Sequence, residues 1–347
     1  MKRMIPGLMI SCALALGAGL ASAEDAAPAA DEILLLDGSK IIGKVVDARD
    51  GAVKVETGFA GTISIPLDQV VSVKSSAPAV MELTDETVIE GQPLLVEDQQ
   101  LQVTDNSGNI REVELGELLL VNPEPWELGL GYKWTGLANL AMTLQRGNTD
   151  TDELDYKLES VWRSERDRYT LKFNGEQDET NNIKNADNWS ALGKYDYFFD
   201  GPTYGGIKVS AESDKFADLD LRYYIGPYIG REFYTEPAFT MSAEIGLSYV
   251  NEDYIVADDN DYPGATWGID MTSDYLGGDS RLYFNQLGIW DLQETSDVVI
   301  NTTFGLAFPL LWNFEAAAEV KLEYDSGAPE DIEELDQTYS LRLGYTW

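Results

Sequence analysis

The feature that most restricts the fold of this chain is an every-second-residue alternation of apolar and polar side chains, which begins near Trp134 and continues to Trp347. Successive side chains of a β-strand point to opposite faces, so alternation of this kind puts an apolar and a polar face on one ribbon; a helix has the wrong period for it. In the first run Trp134, Ala138, Leu140, Met142 and Leu144 share one face, and Thr135, Asn139, Thr143 and Gln145 the other. In the second, Leu154, Tyr156, Leu158 and Trp162 alternate with Glu153, Asp155, Lys157, Glu159 and Arg163. The stretches 169–173, 239–249, 298–308 and 312–324 repeat the scheme. A soluble sandwich also alternates, but these runs reach the roughly 9–11 residues that a tilted strand needs to cross a bilayer, against about 5–6 for an ordinary soluble strand. About twelve are present, an even number as expected of a closed single-chain barrel.

Connection lengths give an independent test, because membrane barrels carry short turns at one end and longer loops at the other. Short links at 164–166, 200–202, 235–237 and 277–279 alternate with longer ones at 176–188, 212–220, 251–265 and 325–337. The chain finishes with Tyr339-x-Leu341-x-Leu343-Gly344-Tyr345-Thr346-Trp347. This resembles the terminal signal by which the outer-membrane assembly machinery takes up its barrels, with Trp in the place where Phe is usual.

Ahead of the barrel, a pattern starting at Leu35-Leu36-Asp37-Gly38-Ser39 returns at an offset of about 48 residues: Leu35 matches Leu83, Asp37 matches Asp85, Gly43 matches Gly91, and Val53 and Val55 match Leu101 and Val103. Ile65 matches Val113, and Val71 and Val73 match Leu119 and Val121. Short Val/Ile/Leu runs separated by Gly, Asp and Asn predict antiparallel hairpins. Neither copy buries much alone, so the two together are expected to form one small β domain over 31–122. A structural spacer and a module docking to peptidoglycan or another periplasmic partner are both compatible with it. Asn122-Pro123-Glu124-Pro125-Trp126 opens a linker over 123–133. Lys2 and Arg3, the apolar stretch to Leu20 and Ala21-Ser22-Ala23 read as an export signal over 1–23. The expected organisation is therefore all-β: a transmembrane antiparallel β-barrel of about twelve strands over 134–347, preceded by a small soluble β domain made of two repeats.

Composition excludes most chemistry. The only cysteine, Cys12, lies in the export signal, so the mature chain has no thiol for a disulfide, a metal or catalysis. The absence of histidine removes Ser-His-Asp and Cys-His constellations and His-ligated metal sites. No cofactor is implied, and no enzyme. With 24 Lys and Arg against 61 Asp and Glu, a net charge of −37, nucleic acid is not an expected partner. Outer-membrane lipid and lipopolysaccharide are.

The polar register assigns Glu153, Asp155, Lys157, Glu159, Arg163, Lys172, Lys194, Asp196, Lys208, Glu212, Arg222, Glu244, Glu315, Glu319, Lys321, Glu323 and Arg342 to one enclosed lumen. Opposite charges crowded there either pair and fill it or line a water path whose surplus carboxylates favour small cations. Trp134, Trp162, Trp189, Trp267, Trp312 and Trp347 are candidates for the membrane-interface girdles. Asp258, Asp259 and Asp261, on a long loop, are weak Ca²⁺ candidates, because clustered Asp oxygens suit a hard cation; the spacing is not that of an EF-hand, and solvated acidity on an external loop is the favoured explanation.

Arg146-Gly147-Asn148-Thr149-Asp150-Thr151-Asp152, the segment from Leu221 to Gly230 (LRYYIGPYIG) and the segment from Gly246 to Tyr254 (GLSYVNEDY) are similar to the YdiY-like family, which includes salt-induced outer membrane proteins. The resemblance covers about residues 134–347. It implies an outer-membrane location and a role in salt stress, and supplies no catalytic residues. Three functions follow as expectations: an envelope barrel of structural or salt-stress role, a narrow cation-leaning pore, and a surface binding or adhesion module using the acidic external loops.

Overall fold

The computed structural model describes residues 30–49, 51–96, 100–105, 107–145, 151–199, 201–236, 238–277, 280–329 and 332–347. The expected export signal and the Gly147-Asn148-Thr149-Asp150 segment lie outside the described residues. The chain divides between Pro123 and Glu124 into two compact units.

In the first unit, β1 (Asp31–Leu35), β2 (Lys40–Arg49), β3 (Ala52–Thr57), β4 (Gly61–Pro66) and β5 (Val70–Lys74) are followed by β6 (Ala79–Leu83), β7 (Val88–Val96), β8 (Gln100–Thr104), β9 (Ile110–Glu114) and β10 (Leu118–Val121). Equivalent strands start at Asp31 and Ala79, Lys40 and Val88, Ala52 and Gln100, and Val70 and Leu118, 48 positions apart in each case. Within each copy the first strand pairs with the second and fifth, the second with the third, and the third with the fourth. The copies then exchange strands: β5 pairs with β7, and its counterpart β10 with β2. This reciprocity lets two open sheets close over one apolar core, in which Ile33, Val53, Val55, Met81, Leu101, Val103 and Val113 are buried.

Local details repeat as well. The turn after the first strand is closed by the Ser39 amide donating to Asp37 Oδ1 at 2.8 Å and, in the second copy, by the Thr87 amide donating to Asp85 Oδ1 at 2.9 Å. Hydrogen bonds from Ser39 and from Thr87 hold these two carboxyls below their ordinary range. A Cβ at Gly43 would sit 2.5 Å from the Glu56 carbonyl oxygen, and one at Gly91 2.5 Å from that of Thr104, so each glycine is fixed by close backbone approach.

The second unit consists of β11 (Lys133–Gln145), β12 (Thr151–Arg163), β13 (Asp167–Thr180), β14 (Ile183–Phe198), β15 (Thr203–Asp214), β16 (Leu219–Glu236), β17 (Phe239–Tyr254), β18 (Asn260–Ser273), β19 (Arg281–Asp291), β20 (Val298–Pro309), β21 (Phe314–Asp325) and β22 (Leu335–Thr346). Each pairs antiparallel with the next and β22 returns to β11, a closed twelve-stranded barrel. Closure satisfies the backbone groups that an open sheet would leave bare in hydrocarbon. The seam is short: β11 and β22 pair from Leu137↔Thr346 to Leu140↔Leu343, extended by reciprocal bonds between Gly136 and Trp347, whereas β11 and β12 pair along their whole lengths. The near end of the barrel is where β11 starts and β22 finishes; the far end is opposite.

Several links expected as long loops prove to be strand. Over 176–188, β13 and β14 run on to a two-residue turn at Asn181 and Asn182, with φ of 52° and 62°. Paired left-handed residues match the right-handed twist of a hairpin, and Asn tolerates that conformation. At 212–220, 251–265 and 325–337 the connections shrink to 215–218, 255–259 and 326–334. The apolar face fades at these positions because the hairpins outrun the lipid band, but ladder hydrogen bonds need no apolar side chain to continue.

Candidate functional site: a charged lumen

The two faces of the barrel wall carry opposite chemistry. Outward residues such as Ile245 and Leu247 are 66% and 60% exposed, while inward Lys208 and Asp196 are 1% and 0% exposed. A wall built with its charges inside and its aliphatics outside has lipid, rather than water, as its outer solvent.

Inside, the charges lie in three tiers. At the near end Arg168 donates to Asp196 at 2.6 Å and to Glu232 at 2.9 Å, and Tyr228 donates to the other oxygen of Asp196. The guanidinium of Arg163 lies 3.3 Å from the Phe198 ring centre, and Phe198, Tyr204 and Tyr228 pack together around it and Arg168. Arg281 meets Glu315 at 2.9 Å across the same end. In the middle tier Glu244 accepts from Lys194 at 2.6 Å and Lys208 at 3.0 Å. Glu319 accepts from Lys157 at 3.0 Å and Tyr283 at 2.9 Å and pairs with Arg342 at 3.2 Å; Lys172 faces Glu159 at 3.5 Å. At the far end Arg222, on β16, binds Glu212 at 3.0 Å, Glu252 at 2.6 Å and, across the lumen on β21, Asp325 at 2.6 Å. Glu252 also accepts the hydroxyls of Tyr254 and Tyr262 at 3.0 Å each, and Lys321 pairs with Glu323 at 2.8 Å.

A cavity of about 550 Å³ threads these tiers, touching Arg168 and Arg281 toward one end and Asp214, Asp325 and Asp336 toward the other. Its far part is lined by more carboxylates, among them Asp155, Glu176, Asp214 and Glu323, than cations. Such a space suits water and small ions. The pairs that cross it restrict its width.

The positions expected to face the lumen are brought together there: Lys157, Glu159, Arg163, Lys172, Lys194, Asp196, Lys208, Glu212, Arg222, Glu244, Glu315, Glu319, Lys321, Glu323 and Arg342 all take part in the contacts above. Asp155 lines the cavity, and Glu153 stands opposite Asp178 in the β12–β13 ladder. Sequence reading missed Arg168, Glu232, Glu252, Arg281 and Asp325, although their strand parity was available; it also missed the inward tyrosines, which reside on the polar face because their hydroxyls cap lumen carboxylates.

Of the tryptophans, Trp134, Trp162 and Trp347 join Tyr345 and Phe314 in a chain of ring contacts at the near end, with centroid spacings of 5.5–6.3 Å. Trp312 projects from the near-end turn, 84% exposed, with a φ of 57°. Trp189 stands opposite Gly175 toward the far end. Trp267 departs from the girdle expectation: it sits mid-strand on β18, covers Gly288, and donates from Nε1 to Gln286 at 3.2 Å. Trp290 at the far end of β19, donating to the Thr295 carbonyl at 3.0 Å, was not foreseen. The acidic loop does not assemble a cation site. Asp259 accepts the Tyr254 amide at 3.0 Å, Asp261 is a strand residue opposite Asn251, and among the described residues no three acidic, histidine or cysteine side chains converge to hold a metal.

Among curated proteins none matches the chain. Of solved structures, the NanC porin aligns with 62% of this chain and 98% of its own at 12% identity and a TM-score of 0.38. The translocator domain of the autotransporter NalP from Neisseria meningitidis aligns with 62% of this chain and 88% of its own at 11% identity and a TM-score of 0.36. The outer membrane channel DcaP of Acinetobacter baumannii aligns with 92% of this chain and 94% of its own at 12% identity and a TM-score of 0.28. The family model described as "Protein of unknown function, DUF481" matches residues 138–347, which is the barrel from its first strand to the last residue, and the chain thus belongs to this YdiY-like family of outer-membrane barrels.

Proposed function

We propose that this outer-membrane barrel is a structural element of the envelope with a role under salt stress, its lumen closed by ion pairs to anything larger than water and small ions. The observation that carries this reading is Arg222, which ties β16 to Asp325 on the opposite wall while holding Glu212 and Glu252. Its three carboxylate partners surround a guanidinium that is 7% exposed, so the cluster carries more negative than positive charge and depends on Arg222 to hold it together. The near end, which the chain enters at Lys133, faces the periplasm in this reading, so the repeated unit is periplasmic. The alternating C-terminal strand is the element offered to the assembly machinery. The barrel acts without catalysis.

Planar-bilayer recording tests the closed lumen: purified protein is expected to give little or no conductance, and steady porin-sized steps would overturn it. A deletion strain growing as well as its parent in high salt would remove the stress role. A second reading, a narrow pore leaning toward cations, is favoured by the cavity of about 550 Å³ and the carboxylate excess at its far mouth. Anion selectivity of any current that does flow would defeat it. The adhesion reading gains nothing from the far-end loop, whose amides at Val256 and Ala257 are tied to the Asp218 carboxylate at 3.0 Å each.

A further inference from the structure

Glycines within the barrel strands mark places where something else takes up the room of a side chain, with one exception among the described residues. A Cβ at Gly136 would overlap the Trp347 ring, one at Gly175 the Tyr156 ring, one at Gly230 the Tyr204 ring and one at Gly288 the Trp267 ring; at every described strand glycine of the barrel but Gly193 it would come within 3.1 Å of a neighbour. Around Gly193 the nearest atoms are Val209 Cγ1 at 3.5 Å and Leu171 Cδ2 at 3.7 Å, ordinary contact distances. A side chain would fit on this outward position, and none is there.

The result is a groove of about 630 Å³ in the outer wall, with Gly193 at its floor and Leu171, Val209 and Ile225 along its sides. Toward the near end it is rimmed by Trp162, Tyr169, Tyr195 and Tyr132. The rim is amphipathic: Tyr195 donates its hydroxyl to Asp167 at 2.6 Å, and the Tyr132 and Tyr169 rings meet edge to face at 6.0 Å. The adjoining turn over 164–166 lies at that same end, with Arg166 paired to Glu165 at 3.4 Å.

We propose that the groove binds one acyl chain of a glycerophospholipid, its head group lying level with the tyrosine hydroxyls. Water cannot fill a concavity in the hydrocarbon band, and leaving it empty forfeits dispersion contacts along its whole lining. A flexible hydrocarbon chain is the molecule present at that depth, and the volume falls within the roughly 300–1,000 Å³ of small-molecule sites. Tyrosine and tryptophan at one end only fit a ligand that is apolar along its length and polar at its head. The inference rests on the outer-membrane barrel architecture and is independent of whether the lumen conducts.

The test is native mass spectrometry of the full chain after exhaustive detergent exchange, comparing wild type with Gly193→Leu, which fills the groove, and Gly193→Ala, which leaves it open. Wild type and G193A are expected to retain one phospholipid that G193L lacks, with all three showing the same difference between unheated and boiled gel mobility. If G193L does not fold, Val209→Trp fills the groove from the neighbouring strand and is expected to lose the lipid likewise. Equal retention in the filled variant, retention of lipopolysaccharide in place of phospholipid, or a dimer of wild type that G193L abolishes would each overturn the assignment.

Discussion

The two units of this chain use the same every-second-residue alphabet for opposite ends. In the repeated unit the apolar register points inward, so Ile33, Val55 and Met81 are fully buried while most charged side chains face water, Asp31 being a buried carboxylate held by the Val45 and Ser76 amides. In the barrel the apolar register points outward, and Lys208, Asp196 and Arg222 occupy the interior. Period alone therefore specifies a strand but not its solvent. What separates the two cases is strand length: 4–10 residues in the first unit and 11–18 in the second. Only the longer strands can bury their apolar face in a bilayer and leave the polar face an interior to fill.

The contrast can be broken most severely from inside the first unit. Met81→Asp puts a carboxylate into a dry core with no partner and is expected to cost about 4 kcal/mol or more, unfolding that unit while the barrel keeps its cold-gel mobility; limited proteolysis reads the first and gel shift the second. The mirror experiment removes a charge from inside the barrel. Arg222→Met leaves Glu212, Glu252 and Asp325 facing one another, and a loss of about 3–5 kcal/mol is expected as a lower temperature of conversion to the boiled form. Unchanged conversion would mean that the three-carboxylate cluster is solvated. Adding a charge to the outer wall, as in Ile245→Arg, is expected to cost about 2–4 kcal/mol by the same measurement, where a soluble sandwich would tolerate it.

Within the repeated unit, Gly43→Ala and Gly91→Ala should destabilise about equally, by roughly 1–3 kcal/mol, because each new methyl meets a carbonyl oxygen at 2.5 Å; unequal losses in denaturant melts would show that the copies are not equivalent in energy. The smallest effect is on acid stability. Asp37 and Asp85 titrate below the ordinary aspartate range, held there by hydrogen bonds from Ser39 and Thr87, so the stability they contribute is complete above that range and is lost as pH falls through their folded-state values. Asp37→Asn with Asp85→Asn should flatten the unit's melting curve between pH 4 and lower pH, and an unchanged acid slope would contradict the turn assignment.

The sequence made the scaffold readable because both halves rest on local periodicity. The 48-residue offset maps strand onto strand, and the alternating runs correspond to the barrel strands. The strand exchange of β5 and β10 was not readable, because nothing local distinguishes pairing within a copy from pairing between copies. Lumen membership was legible from parity for most charged residues; partnership was not. That Arg222 meets Asp325, 103 positions away, depends on stagger and curvature accumulated over several strands. Trp267 misled for a related reason: tryptophan frequency identifies interfaces on average, but this ring is held mid-strand by the absence of a side chain at Gly288. The groove at Gly193 was invisible too, since one glycine in a run says nothing of whether a neighbour covers it.

The short seam has a mechanical consequence. From Leu335 to Arg342 β22 leans on β21 alone, because its ladder with β11 runs only from Leu343 to the end of the chain. A cylinder stitched unevenly peels from its loosest border, so amide exchange in this half-strand should outpace that of β16 or β17, and a crosslink from Met142 to Leu341 would turn the zip into a rivet.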